Sequence, residues 1–281
     1  MDEITADPDF LCSCGAKLRE CDFFRRLEST LRSGAVTFTI DNMDLMLNLH
    51  ANWRVNQLLA EKIPLVQSSR LEDLRDALVD LSPWLRGKKH ACYARNEAFM
   101  RAVLQLQGAD IFLDANKNPY RMRFLAKRFD LFAIYLFKNG IAGAYSYIKN
   151  TAASRSPLSI DGASHRWFEE QITISRSLRY LPPEKVIQIG YSDLCRDVRA
   201  TVRSICGLIG IEDFSPDDYA TAPHHIIGNK MRLGNVGEIE ERRDWEDRLS
   251  QSDVERYRSI LSSYEPTLRK LNPKLLEKLW R

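Results

Sequence analysis

The stretch DIFLDANKNPYRMRFLAKRFDLFAIYLFKNGIAGAYS, Asp110 to Ser146, decides the fold. Its opening, with Ala109 in front, is a short apolar run bounded by turn residues. NPYRMRFLAKRF has helical spacing with Pro119 suited to a first-turn position, and LFAIYLF is a second short run that reads as buried. A strand, a helix and a strand in so few residues form a crossover unit, and crossover helices join parallel strands. Ile111 to Leu113 and Leu131 to Phe137 are therefore predicted to lie side by side in a parallel sheet.

Downstream the alternation continues. Helices are predicted from Ile141 to Asn150 and from His165 to Tyr180, and after LPPE comes a third strand, KVIQIGY. RDVRATVRSICGLIG then puts Val198, Val202, Ile205 and Ile209 on one helical face and stops at Gly210. The tail holds a helix whose Ser252 and Glu255 have capping-box spacing. Upstream the pattern is helical throughout. Asp41 to Lys62 reads as one helix capped by Asp41 or Asn42. Leu71, Leu74, Leu78 and Leu81 mark a second, capped by Ser69 and stopped by Pro83, and a third runs from Ala91 to Gln107 and ends at Gly108. The organisation predicted is a single domain over 1–281. It has a helical insertion at 41–107, a parallel α/β core at 109–210, a long loop over the site at 211–250 and a C-terminal helix at 251–281.

A chain of 281 residues, 44% hydrophobic and 28% charged, can bury a substantial core. A net charge of +3 over 41 basic and 38 acidic residues gives no argument for wholesale nucleic-acid or membrane binding but allows a local anion site. No apolar run approaches the roughly 18 residues of a membrane span, and MDEITADPDF lacks the basic flank and apolar centre of a signal peptide. The expected location is the cytoplasm.

Six cysteines are scattered at 12, 14, 21, 92, 195 and 206 and read as reduced thiols. Cys12, Cys14 and Cys21 cluster in LCSCGAKLREC, but a closed zinc site needs four ligands and neither a histidine nor a fourth cysteine lies near them in sequence. The preferred reading is a turn around Gly15 with part-buried thiols, and no metal is expected. His224 and His225 are adjacent in a loop and would point to different sides, while His50, His90 and His165 are isolated. YARNEAFM, from Tyr93, reads as helix surface, and Trp53, Trp84, Trp167, Trp245 and Trp280 as packing residues. Ser146 lacks a nucleophile-elbow context, and no Walker loop supports a nucleotide kinase.

In an open parallel sheet, ligands sit beyond the carboxyl ends of the strands. DANK follows the first predicted strand and Lys138 with Asn139 the second, which brings Asn116, Lys117 and Lys138 to one crevice, with Ser146 on the next helix. A lysine and a serine can hold a phosphate from two sides near a helix N-terminus. On spacing alone a solvated lysine and an incidental hydroxyl are the preferred account of the pair.

The opening stretch resembles the central block of sulfotransferases that use 3′-phosphoadenosine-5′-phosphosulfate (PAPS). There a strand ending in Asp-Ser-Ser-Lys precedes a second strand ending in Arg-Asp or Arg-Asn. CSCGAKLREC is similar to the Cys-x-Cys-Gly segment of the bacterial branch, KVIQIGYSDLCRDVRATVRSICGLIGI to its Tyr-Glu-Asp-Leu strand and helix, and HHIIGNKMR to its His-x-x-x-Gly-Asn-x-Met-Arg loop. RRDWEDRL follows the same pattern, and the motifs span about residues 11 to 250 in the family's order. The resemblance implies an α/β fold of three layers, α/β/α, around a central parallel sheet, similar to P-loop NTPases. It implies a PAPS co-substrate and an acceptor hydroxyl or amine. It also implies that Lys138 and Ser146 bind the donor's 3′-phosphate, with Asn116 nearby and Asn229, Lys230 and Arg232 approaching from the late loop. Lys117 falls near the acceptor, either as the cation that stabilises charge on the leaving phosphate oxygen or as a base.

The departures have chemical content. Lys138, Asn139, Gly140 and Ile141 replace an Arg-Asp-Pro-Arg type segment, so a fork-shaped donor becomes a point charge. Ala115 and Asn116 replace the two serines, and Ser192 replaces an acid. The family's opening strand and Gly-rich loop, which cradle the 5′-phosphosulfate, have no counterpart before the cysteines. The expectation is a shortened enzyme or, from a different class, a non-catalytic relative that binds adenosine 3′,5′-bisphosphate or a protein partner.

Overall fold

A computed structural model describes residues 7, 9–32, 38–61, 69–213, 225, 227, 233, 239–241 and 243–279. They pack as two compact units, one of residues 1–128 with 221–236 and one of 129–220 with 237–281.

The first unit is helical. α1 (Asp22–Arg32), α2 (Trp53–Ala60), α3 (Ser69–Leu81), α4 (Pro83–Gln107) and α5 (Pro119–Ala126) carry it. Several boundaries have a local cause. Asn52 accepts the amides of Arg54 and Val55 at the start of α2, Ser82 caps α4 ahead of Pro83, and Gly108 ends α4 with φ 61. Its core gathers Cys12, Leu18, Cys21, Phe24, Leu27, Leu31, Phe38, Ile40 and Met43, with Ile227 packed against it.

Two expectations fail in this unit, and one helix that does form buries an unexpected face. The predicted 41–62 helix is only Trp53–Ala60. Asp44 has φ 40, which breaks a right-handed helix, and the carbonyls beyond it are taken by side chains instead of a helical ladder. Arg95 binds the Asp44 carbonyl at 3.1 Å, Asn96 that of Leu45 at 3.0 Å and Lys88 that of Leu49 at 3.0 Å. The leucine stripe of α3 does mark a helix, yet Leu71, Leu74, Leu78 and Leu81 are exposed while Glu72 and Val79 are buried. Finally, Ile111–Leu113 is not a strand: Phe112 alone turns inward, edge-on to Phe99, and Ile111 and Leu113 are exposed. The run is pinched between the Gly108 cap and an Asp114 turn, leaving no length for a ladder.

The second unit is α/β. β1 (Ala133–Phe137) and β2 (Val186–Gly190) are parallel, in register from Ala133 opposite Val186 to Phe137 opposite Gly190. The crossover between them is α6 (Gly140–Thr151) and α7 (Ile160–Leu178); α8 (Tyr191–Arg196), α9 (Val198–Ile209), α10 (Asp244–Arg248), α11 (Gln251–Leu271) and α12 (Pro273–Leu279) follow. Ala133, Tyr135 and Phe137 point inward, and Tyr135 donates a hydrogen bond to Gln171 of α7. Asn272, between α11 and α12, binds Gln188 of β2 at 2.8 Å. Ile134 and Leu136 on the other face of β1 are exposed among the described residues, so the run alternates instead of being buried throughout. The parallel sheet flanked by helices is the α/β class read from the sequence, an arrangement consistent with three α/β/α layers. The predicted face of α9 is its inner one: Val198, Val202, Ile205 and Ile209 are all half-buried and Gly210 caps it with φ 78. The capping box of α11 is Ser250 with Asp253, two residues before the predicted pair, because Asp253 accepts the Ser250 amide at 3.0 Å.

No described helix is long and apolar enough to cross a membrane.

Candidate functional site

At the carboxyl end of the β1–β2 pair the chain leaves β1 through Lys138. Its ammonium sits 5.1 Å from the ring centre of Tyr191, the residue that follows β2. Asn139 caps α6 by accepting the Ile141 amide at 3.1 Å. The positive end of a 12-residue helix thus opens beside a lysine, an arrangement that attracts anions. Ser146 lies further along α6, half-buried, and its hydroxyl donates to the Ala142 carbonyl at 2.9 Å. In that state it offers a ligand lone pairs but no proton.

Close packing holds this helix in place. A Cβ on Gly140 would overlap the Tyr257 hydroxyl, and one on Gly143 would overlap the indole of Trp167. The two glycines of KNGIAGAY therefore let α6 lie directly on α7 and α11. Tyr257 is buried, and its hydroxyl has no hydrogen-bond partner among the described residues.

Beyond β2, the Ser192 hydroxyl donates to the Glu241 carboxylate, Arg243 joins it at 3.1 Å, and Tyr191 donates to the Glu240 carbonyl at 3.3 Å. The Ser192 hydroxyl, with Arg243, holds the Glu241 carboxyl below its ordinary range. A carboxylate therefore stands beside Ser192, supplied from later in the chain. Tyr191 and Glu241 were not singled out in the sequence. The aromatic directly after a predicted strand was a usable signal for the first; nothing local pointed to the second.

Asn116 and Lys117 belong to the first unit and are exposed. A ladder of side-chain turns shapes their loop: Asp114 accepts the Asn116 amide at 2.9 Å, Asn116 accepts that of Asn118 at 2.8 Å, and Asn118 caps α5. Arg121, buried, ties Asp114 at 2.8 Å and Asn96 at 2.8 Å. This leaves Lys117 projecting from a rigid loop, with no hydrogen bond or ion pair among the described residues. Lys138 and Ser146 thus share one strand–helix unit. Asn229, Lys230 and Arg232 lie outside the described residues.

The cysteine turn differs from expectation. Gly15 does turn it, at φ 86, but His225 reaches the thiols from the far end of the chain, its ring stacked on Phe23 at 4.8 Å. The histidine missing from the local sequence is brought beside the thiols by the fold. Of the tryptophans, Trp167 packs as expected, while Trp53 and Trp84 are exposed and lie under Arg54 and Lys88. YARNEAFM lies within α4, as read, but not at its surface: Asn96 is fully buried and Tyr93 stacks on Phe124.

The sequence model of the Sulfotransferase family matches residues 43–216, more than half of the chain. No curated protein matches. Among solved structures, the sulfotransferase domain from the curacin biosynthetic pathway is similar at 14% identity, over 66% of this chain and 76% of that one, with a TM-score of 0.35.

Proposed function

Because the chain belongs to the sulfotransferase family, we propose that it moves a sulfuryl group from PAPS to an acceptor hydroxyl or amine, with Lys138 and Ser146 at the donor's 3′-phosphate. The observation that carries this reading is the Lys138 ammonium held over Tyr191 beside the open N-terminus of α6. Two positive features converge there, and a dianionic phosphate is the complement they favour. In the transfer the acceptor oxygen or nitrogen bonds to sulfur, and the bond from sulfur to the phosphate oxygen breaks. Adenosine 3′,5′-bisphosphate leaves, and a base takes the acceptor's proton. Charge grows on the departing oxygen, so a nearby cation lowers the barrier. Lys117 takes that role in our reading: base duty would need a desolvated lysine, and its side chain is exposed. Asn116 would order its loop, and Asn229, Lys230 and Arg232 would contact the same phosphate or the adenosine. A reducing, cytoplasmic setting belongs to the same reading and is supported by six cysteines that are all free thiols.

The second reading, a non-catalytic relative that binds adenosine 3′,5′-bisphosphate, is favoured by one observation. Ser146 spends its proton on Ala142, so the phosphate grip rests on one point charge. Titration calorimetry with adenosine 3′,5′-bisphosphate should give weak binding to the chain, with Lys138→Ala weakening it about tenfold and Ser146→Ala less. Unchanged affinity in both variants would overturn the phosphate site. Labelled sulfate appearing on a hydroxyl or amine acceptor panel separates the enzyme from the silent relative.

A further inference from the structure

Cys12, Cys14 and Cys21 meet His225 within the first unit, and their three sulfurs and one imidazole nitrogen all lie within 4.8 Å of one another. His225 Nδ1 is 3.3 Å from the Cys21 sulfur and 3.9 Å from that of Cys12; the Cys14 and Cys21 sulfurs are 3.7 Å apart. We propose that these four residues form a structural zinc centre, with three thiolates and His225 Nδ1 as its ligands.

Those three separations are close to the edges of a zinc tetrahedron. Zinc bonds of about 2.3 Å to sulfur and 2.0 Å to nitrogen set neighbouring sulfurs about 3.8 Å apart and a sulfur and nitrogen about 3.5 Å apart. A disulfide would bring two sulfurs to about 2.0 Å, and all six cysteines are free. Three thiolates and an imidazole suit a soft or borderline ion such as zinc and exclude magnesium or calcium. Four protein ligands leave no open position, which marks the centre as structural.

The surroundings are those of a ligand set. Gly15, in the left-handed region, folds the loop back so that its amide donates to the Cys12 carbonyl at 3.0 Å, and the Cys12 amide donates to Ala16 at 2.9 Å. Phe23 fixes the plane of the His225 ring. Cys12 and Cys21 are buried and Cys14 is exposed, which gives the ion a path in.

The centre closes a loop of about two hundred residues, so it removes chain entropy from the unfolded state and couples metal binding to folding of this unit. It also moors position 225, four residues before Asn229. The inference stands apart from the donor reading, because metal binding is measured with no nucleotide present.

Purified under reducing conditions, the chain should hold about one zinc by elemental mass spectrometry, with three sulfurs and one nitrogen around the ion by X-ray absorption. Exchange into cobalt should produce the intense visible bands of a tetrahedral cobalt thiolate. Cys14→Ser and His225→Ala should lower zinc affinity by at least about tenfold, while Cys195→Ser, in the other unit, leaves it unchanged. Negligible zinc after reconstitution, the pale spectrum of six-coordinate cobalt, or unchanged affinity in Cys14→Ser and His225→Ala would each overturn the proposal. The cobalt spectrum is read on the unsubstituted chain and does not depend on any variant folding.

Discussion

Gly143 faces the indole of Trp167, and Gly140 the hydroxyl of Tyr257, so closely that a methyl group at either position would overlap them. In an open helix, glycine to alanine gains about 1 kcal/mol from backbone entropy. Here the neighbours are rigid aromatics in a packed layer, and forcing them aside costs about 1–3 kcal/mol. Gly143→Ala should therefore lower the urea midpoint, whereas Gly207→Ala, with open space around its Cβ, should raise it or leave it unchanged. At this scale the sequence was partly legible. Lys138 does stand at a strand end before a helix, because the residues that set it there, Phe137 and Asn139, are its neighbours. The partner under its ammonium, Tyr191, is 53 positions away, and no local pattern announces such a pairing.

Between elements, α3 and α5 are joined by charge. Arg123, buried, binds Glu72 and Asp73 at 2.8 Å and Asp76 at 2.9 Å, and Lys127 and Arg75 also reach Asp76. Three carboxylates face three cations, so the cluster is balanced and has no call for an added anion. Burial alone would raise the Asp76 carboxyl, but Lys127, Arg123 and Arg75 outweigh it and hold it below its ordinary value of 3.8. A depressed folded value means stability that is fully present above about pH 4 and is lost as pH falls through the folded value. Urea midpoints measured down the acid limb should drop over that range and drop less in Asp76→Asn. Arg123→Met should cost about 3–5 kcal/mol at neutral pH, since it strands carboxylates in a buried site; a loss below about 1 kcal/mol would remove the cluster from the account of this unit. Helical spacing revealed α3 and α5, yet the leucines that mark α3 are exposed while Glu72 and Arg123 are buried. Hydrophobic periodicity cannot weigh a buried ion network against an apolar stripe, and here the network won.

Across the whole chain, what was legible followed the range of the interaction. The strands β1 and β2, the αL glycines after α4 and α9 and Pro119 at the start of α5 rest on short segments and were readable, whereas the pairing was not: β1 lies beside β2 and not beside 111–113. The zinc ligands were not, since Cys21 and His225 are 204 positions apart and only the folded chain closes that distance. The centre ties into the same core as Leu27, Phe24 and Ile227. Chelation should therefore speed amide exchange throughout α1 while leaving α7 at its native protection, a contrast read from one hydrogen-exchange experiment on the intact chain. Equal loss in both helices, or none in α1, would mean that the metal does not support that core.

The cap of α6 carries a clock. Asn139 is followed by Gly140, whose small side favours attack of the next amide on the asparagine carboxamide, and the product is an aspartate or its isomer. Aspartate at a helix start strengthens the helix through its dipole. The same charge lies next to Lys138 and repels an incoming anion. The aspartate form should therefore separate as an acidic species on ion exchange that holds its helix well and, on the function proposed above, binds adenosine 3′,5′-bisphosphate more weakly than fresh protein.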